Sequence, residues 1–153
     1  MKKAILPGLL VLALCAPVAS AKTRKLDGKF ERADINNDNQ LDPTEFQATQ
    51  TKKLSKAYSL FRFGKTDTNS DSFVSLEEFR ASRGGITGGK PTRTQLFILA
   101  DANEDDLLDP TEYSATLPPG LAWPRVLKNF DKRDKSDDGN LTPREFGIRN
   151  FPL

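Results

Sequence analysis

Four twelve-residue segments share one pattern of oxygen-bearing side chains, and that repeat limits what this chain can fold into more than any other feature. They run Asp34–Glu45, Asp67–Glu78, Asp101–Glu112 and Asp134–Glu145, align without a gap, and begin 33, 34 and 33 residues apart. Asp stands at positions 1 and 5 of every copy, Asn or Ser at 3, Asp, Ser or Thr at 9, and Glu at 12. Position 8 is always apolar: Leu41, Val74, Leu108 and Leu141. Four residues before each segment stands Phe30, Phe63, Phe97 or Phe130, and just after each Glu stands Phe46, Phe79, Tyr113 or Phe146. A single acidic stretch of this kind is commonly a solvated loop. Four that agree in polar positions, apolar position, flanking aromatics and period are a structural repeat.

Composition narrows the chemistry further. The 153 residues include no His and one Cys. That excludes Ser-His-Asp and Cys-His nucleophile pairs, His-containing zinc sites and an imidazole pH switch. Any metal must be held by oxygen, and alternate oxygens on a tight loop suit a hard cation that takes six to eight of them.

Each segment resembles the calcium loop of the EF-hand superfamily. The resemblance implies a ligand set for each loop. In loop 1 it is Asp34, Asn36, Asp38, the Gln40 carbonyl, Asp42 and Glu45; in loop 2, Asp67, Asn69, Asp71, the Phe73 carbonyl, Ser75 through water, and Glu78. In loop 3 it is Asp101, Asn103, Asp105, the Leu107 carbonyl, Asp109 and Glu112; in loop 4, Asp134, Ser136, Asp138, the Asn140 carbonyl, Thr142 and Glu145. Glu at position 12 falls in the first turn of the next helix and is long enough to bind with both oxygens. Position 8 is implied to pair two loops back to back, so four loops make two pairs. The implied fold is all-α: two lobes of paired EF-hands, four helix-loop-helix units with short inter-loop β pairing, binding up to four Ca2+. Helix starts support it, since Asp42, Ser75, Asp109 and Thr142 are N-cap types with Glu three residues later, and Pro43, Pro110 and Pro143 sit at N1.

The loops depart from the family pattern at position 6, where a sharp turn normally takes Gly. Only Gly139 complies; Asn39 and Asp106 tolerate the left-handed region, and Ser72 there costs on the order of 1 kcal/mol. Loops 1 and 3 carry four ligand carboxylates each, loops 2 and 4 three each. Charge count therefore ranks loops 1 and 3 first, then loop 4, then loop 2, with Gly139 in favour of loop 4.

The first 21 residues have the layout of an export signal: Lys2 and Lys3, then an apolar run, then Ala19-Ser20-Ala21 as a cleavage pattern. The uninterrupted apolar stretch Leu9–Ala16 falls well short of the about 20 residues that span a bilayer. A lipoprotein anchored through Cys15 is the alternative, and Leu14 in place of a small residue argues against it. Cleavage after Ala21 would remove the only Cys and Met and leave 21 basic against 21 acidic residues. Neither nucleic acid nor, after cleavage, a membrane is indicated as a partner. The expected destination is a periplasm or the medium, and the short n-region looks bacterial.

The expected organisation is 22–83 as pair 1, a Gly-rich linker at 84–91, and 92–153 as pair 2, with 22–29 a frayed lead into the first helix. The repeat fills the chain from 26 to 147, which leaves no space for a catalytic domain, so no enzyme is expected. Two functions remain. One is a calcium buffer or calcium-stabilised module, favoured by the absence of the Met-rich groove of calmodulin-like sensors. The other is a calcium-dependent adaptor for a protein partner, with Trp123, Leu121, Val126 and Leu127 as a surface; Trp123 is expected instead to pack in its lobe.

Overall fold

The computed structural model describes residues 21–85 and 89–151. The expected leader therefore lies outside the described residues, except for Ala21. Among those residues there are eight helices and two short strands: α1 (Ala21–Ala33), β1 (Gln40–Leu41), α2 (Pro43–Thr49), α3 (Lys56–Thr66), β2 (Val74–Ser75), α4 (Leu76–Ala81), α5 (Arg93–Ala100), α6 (Pro110–Ser114), α7 (Trp123–Asp131) and α8 (Pro143–Phe146). Each repeat lies between an entering and an exiting helix, which gives four helix-loop-helix units. The fold is all-α, arranged as two lobes.

The exiting helices start where the cap residues place them. Asp42, Ser75, Asp109 and Thr142 each cap a helix with a complete capping box, closed by Glu45, Glu78, Glu112 and Glu145. These helices are short, so packing rather than length must hold them. Position 8 does part of this: Leu41 pairs antiparallel with Val74, and Leu108 bridges Leu141. All four of these side chains are fully buried.

Aromatic rings form the rest of each core, and they meet across the loop pair rather than around a single loop. Phe30 contacts Phe79 and Phe46 contacts Phe63, with centroids 5.6 and 5.5 Å apart. In the second lobe Phe97 contacts Phe146 and Tyr113 contacts Phe130, at 5.6 and 5.7 Å. Back-to-back pairing explains this, because it brings the entering helix of one hand beside the exiting helix of the other. All are edge-to-face, the arrangement that sets a ring's positive rim against its neighbour's negative face.

Three features differ from the sequence reading. Residues 22–29 are helical, as the first turns of α1: Leu26 packs on the first core, and Asp27 accepts an ion-paired hydrogen bond from Arg80 of α4 at 2.7 Å. Trp123 is 47 % exposed at the first turn of α7, because α7 turns Val126 and Phe130 inward and its start outward. The lobes also share α3. Its Ala57 belongs to the second core and donates its N–H to the Ala115 carbonyl at 2.9 Å, while its Phe63 belongs to the first.

The start of the Gly-rich connector is packed. Gly85 is buried with φ +77°, and a Cβ there would collide with the Phe46 ring. Gly85→Ala is therefore expected to destabilise the protein by roughly 1–3 kcal/mol, through the left-handed backbone and overpacking together. Urea unfolding would measure it. Gly89→Ala, with φ +72° but open space around it, isolates the backbone contribution.

Candidate metal centre

Each loop closes on its own carboxylates by one scheme. The Asp at position 1 accepts the position 6 N–H: Asn39 to Asp34 at 3.0 Å, Ser72 to Asp67 at 3.1 Å, Asp106 to Asp101 at 3.0 Å and Gly139 to Asp134 at 2.9 Å. The Asp at position 5 accepts the position 7 N–H, from Gln40, Phe73, Leu107 and Asn140 to Asp38, Asp71, Asp105 and Asp138, at 2.9 Å in every loop. Position 7 thus has its N–H committed to position 5 in all four copies.

The twelfth-residue Glu grips the loop at two points. One carboxylate oxygen accepts the position 2 N–H, from Ile35, Thr68, Ala102 or Lys135, at 2.9–3.0 Å. The other accepts the position 9 N–H, from Asp42, Ser75, Asp109 or Thr142, at 2.9–3.1 Å. The grip folds the side chain back toward the start of its loop in every copy.

Two residues per loop adopt positive φ, where the sequence reading expects one. Besides position 6 (Asn39, Ser72, Asp106, Gly139), position 4 is left-handed at Asn37, Ser70, Glu104 and Asp137. No glycine marks position 4, so nothing in the composition pointed to it. The hydrogen bonds to position 1 hold the backbone there.

The loops are not equal. In loops 1 to 3 the position 3 Asn donates its Nδ2 to the position 5 Asp, at 2.9, 2.8 and 2.9 Å. Ser136 is too short for this, and its hydroxyl donates instead toward Asp134 at 3.2 Å or Glu145 at 3.1 Å. In loop 1, Asp34, Asp38 and Glu45 bring ligand oxygens within 4.8 Å of one another, the one such carboxylate group among the described residues. That spacing matches calcium, for which opposed oxygens at about 2.3–2.6 Å from the ion lie about 5 Å apart. Loop 3 has the same carboxylates but does not converge as far. Oε1 of Glu112 holds Ala102 alone, whereas that of Glu45 also reaches Asn36 N–H at 3.4 Å. The donor set is all oxygen and hard, so the residues present fit calcium. Asp34 and Glu45 are buried, and the Phe73 side chain at position 7 of loop 2 is exposed.

The hydrogen bonds also govern acidity. At Glu78, burial alone would raise the pKa, but N–H and hydroxyl donors from Ser75 and Thr68 outweigh it and hold the group down from 4.5 to about 2. At Glu145 the donors of Thr142 lead, opposed by burial and helped by Lys135 and Ser136, again from 4.5 to about 2. Both carboxylates sit near the surface, where solvent weakens such effects.

No protein-family model matches this chain, and no curated protein does. Among solved structures it is similar to caltubin from the great pond snail, at 18 % identity over 81 % of this chain and 93 % of that one, with a TM-score of 0.41. It is also similar to a homologue of programmed cell death 6 protein from Leishmania major Friedlin, at 19 % identity over 82 % and 74 % with a TM-score of 0.37. A third is a redox protein from Chlamydomonas reinhardtii, at 22 % identity over 82 % and 46 % with a TM-score of 0.34. At scores this low the likenesses decide neither fold nor function, which rest on the loops themselves.

A carboxylate whose folded pKa is depressed contributes stability that is complete above its unfolded pKa and is lost as pH falls toward the folded value. For Glu78 and Glu145 that window runs from 4.5 down to about 2. The calcium-free chain should lose urea resistance across it, and the double variant Glu78→Gln/Glu145→Gln should lose less. A decline of equal depth in both proteins would remove these two groups as its cause.

Proposed function

We propose that this chain binds calcium through its four EF-hand loops and acts, after export by residues 1–21, as a buffer or calcium-stabilised module rather than as an enzyme. The observation that carries the reading is the shared grip of Glu45, Glu78, Glu112 and Glu145, which in every loop brings the position 12 carboxylate back onto positions 2 and 9. Bound calcium supplies positive charge among these oxygens. The chain's part is to hold the oxygens in place, with Asp34, Asp38 and Glu45 of loop 1 the best gathered. Packed cores support the module: Phe46, Phe79 and Phe97 are fully buried. No helix among the described residues is long and apolar enough to cross a membrane.

The adaptor reading has one observation of its own, the half-exposed Trp123. It is the only Trp in the chain, so its emission reports this surface alone. For the module, calcium should leave that emission and the binding of apolar dyes unchanged. A blue shift with new dye binding would make the adaptor the better reading.

Calorimetric titration of the calcium-stripped chain, with magnesium as competitor, tests calcium binding itself. We expect up to four sites, with constants of about 10⁻⁴–10⁻³ M if the protein responds to extracellular calcium and micromolar or tighter if the ion is permanently structural. Glu45→Gln should eliminate the site of loop 1 and reduce the calcium-induced rise in melting temperature. A melting temperature indifferent to calcium would overturn the reading.

A further inference from the structure

The second lobe carries a concentration of positive charge that the calcium loops do not use. Arg93 at the start of α5, Lys132 and Arg133 just past α7, Lys135 and Arg144 in loop 4, and Arg149 beyond α8 line four neighbouring depressions that share lining residues. Arg93, Arg144 and Arg149 line one of about 600 Å³, and Lys132, Arg133, Lys135 and Arg144 line the next, of about 520 Å³. Arg144 belongs to both, and Arg93 and Arg133 meet in a third.

Negative charge is nearly absent from these walls. Glu145 is the one carboxylate among the described lining residues, and its oxygens already accept hydrogen bonds from Lys135, Ser136 and Thr142. Among the described residues the one side-chain ion pair is Arg80 with Asp27, in the other lobe, so none of the six cations is in a direct ion pair with a protein carboxylate.

One of the cations is held in position. Arg133 donates from Nε to the Tyr113 hydroxyl at 3.1 Å, and its guanidinium lies 5.9 Å from the centroids of both Tyr113 and Phe146. Arg93 lies against Gly147, which closes α8 at φ +98°, so closely that a Cβ there would collide with the guanidinium. The positioned guanidinium of Arg133 and the exposed one of Arg93 suit planar or tetrahedral oxyanions, which such groups bind through paired N–H donors.

We propose that this groove binds a multivalent oxyanion, a ligand bearing several sulfate or phosphate groups, with one group at Arg93, Arg144 and Arg149 and another at Lys132, Arg133 and Lys135. The site is separate from the calcium ligands except at Glu145, and it does not require the loops to be calcium-selective. Free sulfated or phosphorylated ligands and anionic lipid headgroups share the required chemistry.

The test uses the calcium-loaded full chain and sucrose octasulfate, titrated calorimetrically at about 0.15 M salt. Binding should weaken as salt rises. Arg93→Glu/Arg149→Glu, at two exposed positions outside the loops, should weaken it roughly tenfold or more. Lys52→Glu/Lys53→Glu, which changes net charge equally in the other lobe, should leave it intact. Calcium titration and melting of both variants establish that each is folded and loaded. Vesicles of phosphatidylglycerol with phosphatidylcholine, against phosphatidylcholine alone, locate the source: binding sensitive to Arg93→Glu/Arg149→Glu assigns the groove to headgroups, and binding of the octasulfate alone assigns it to a soluble ligand. No octasulfate binding by the wild type, or equal loss in the two double variants, would overturn the proposal.

Discussion

Repulsion among like charges is the constraint on which the rest of this structure depends. Fourteen candidate ligand carboxylates lie in four short loops, and in the absence of a cation each loop tends to open. Backbone N–H groups oppose this. Positions 2, 6, 7 and 9 turn their donors toward the carboxylates at 1, 5 and 12 in every copy. Such charge-assisted bonds are stronger than neutral ones. They require left-handed backbone at positions 4 and 6, which Asn, Asp, Ser and Glu adopt at some strain where Gly would be relaxed. The loops are thus closed by the groups that calcium binding would have to rearrange or share.

Closing one loop would achieve little without its neighbour. The exiting helices have only four to seven residues, too short to persist alone. Their stability comes from the buried position 8 pair and from rings contributed by the other hand of the lobe. Phe79 touches both Phe30 and Phe46, so a ring following loop 2 packs on rings flanking loop 1. The lobe, rather than the single hand, is the packing unit.

Much of this was legible in the sequence because the physics is local. Cap residues, N1 prolines, the apolar position 8 and the flanking aromatics each act within a few residues of themselves, and each is found in its place. What escaped the reading is nonlocal or unmarked. The helical character of residues 22–29 depends on Asp27 meeting Arg80 and on Leu26 meeting the first core, partners more than fifty residues away in the case of Arg80. The left-handed turn at position 4 has no glycine to announce it. The outward Trp123 follows from which face of α7 finds Val126 and Phe130 a core, and a large aromatic gives no sign of that on its own. Loops 1 and 3 have equal carboxylate counts, yet among the described residues only the former gathers its oxygens, a difference of side-chain placement that a count of ligands does not carry.

The sharing of α3 gives the two lobes a mechanical relation that the glycine-rich connector would not suggest. Ser55 caps the helix by accepting the Tyr58 N–H, and Ala57 packs in the second core and bonds to Ala115 just past α6. Nine residues further along, Thr66 ends the same helix at the first residue of loop 2, Asp67, whose N–H bonds back to Phe63 of the first core. A helix this short is close to rigid over its length, so its two ends cannot move independently. Any rearrangement of loop 2 that tilts α3 must either strain the Ala57–Ala115 contact or carry α6 with it. Loop 3 leads directly into α6. The connection between the middle loops therefore runs through packed helices as well as through residues 84–91.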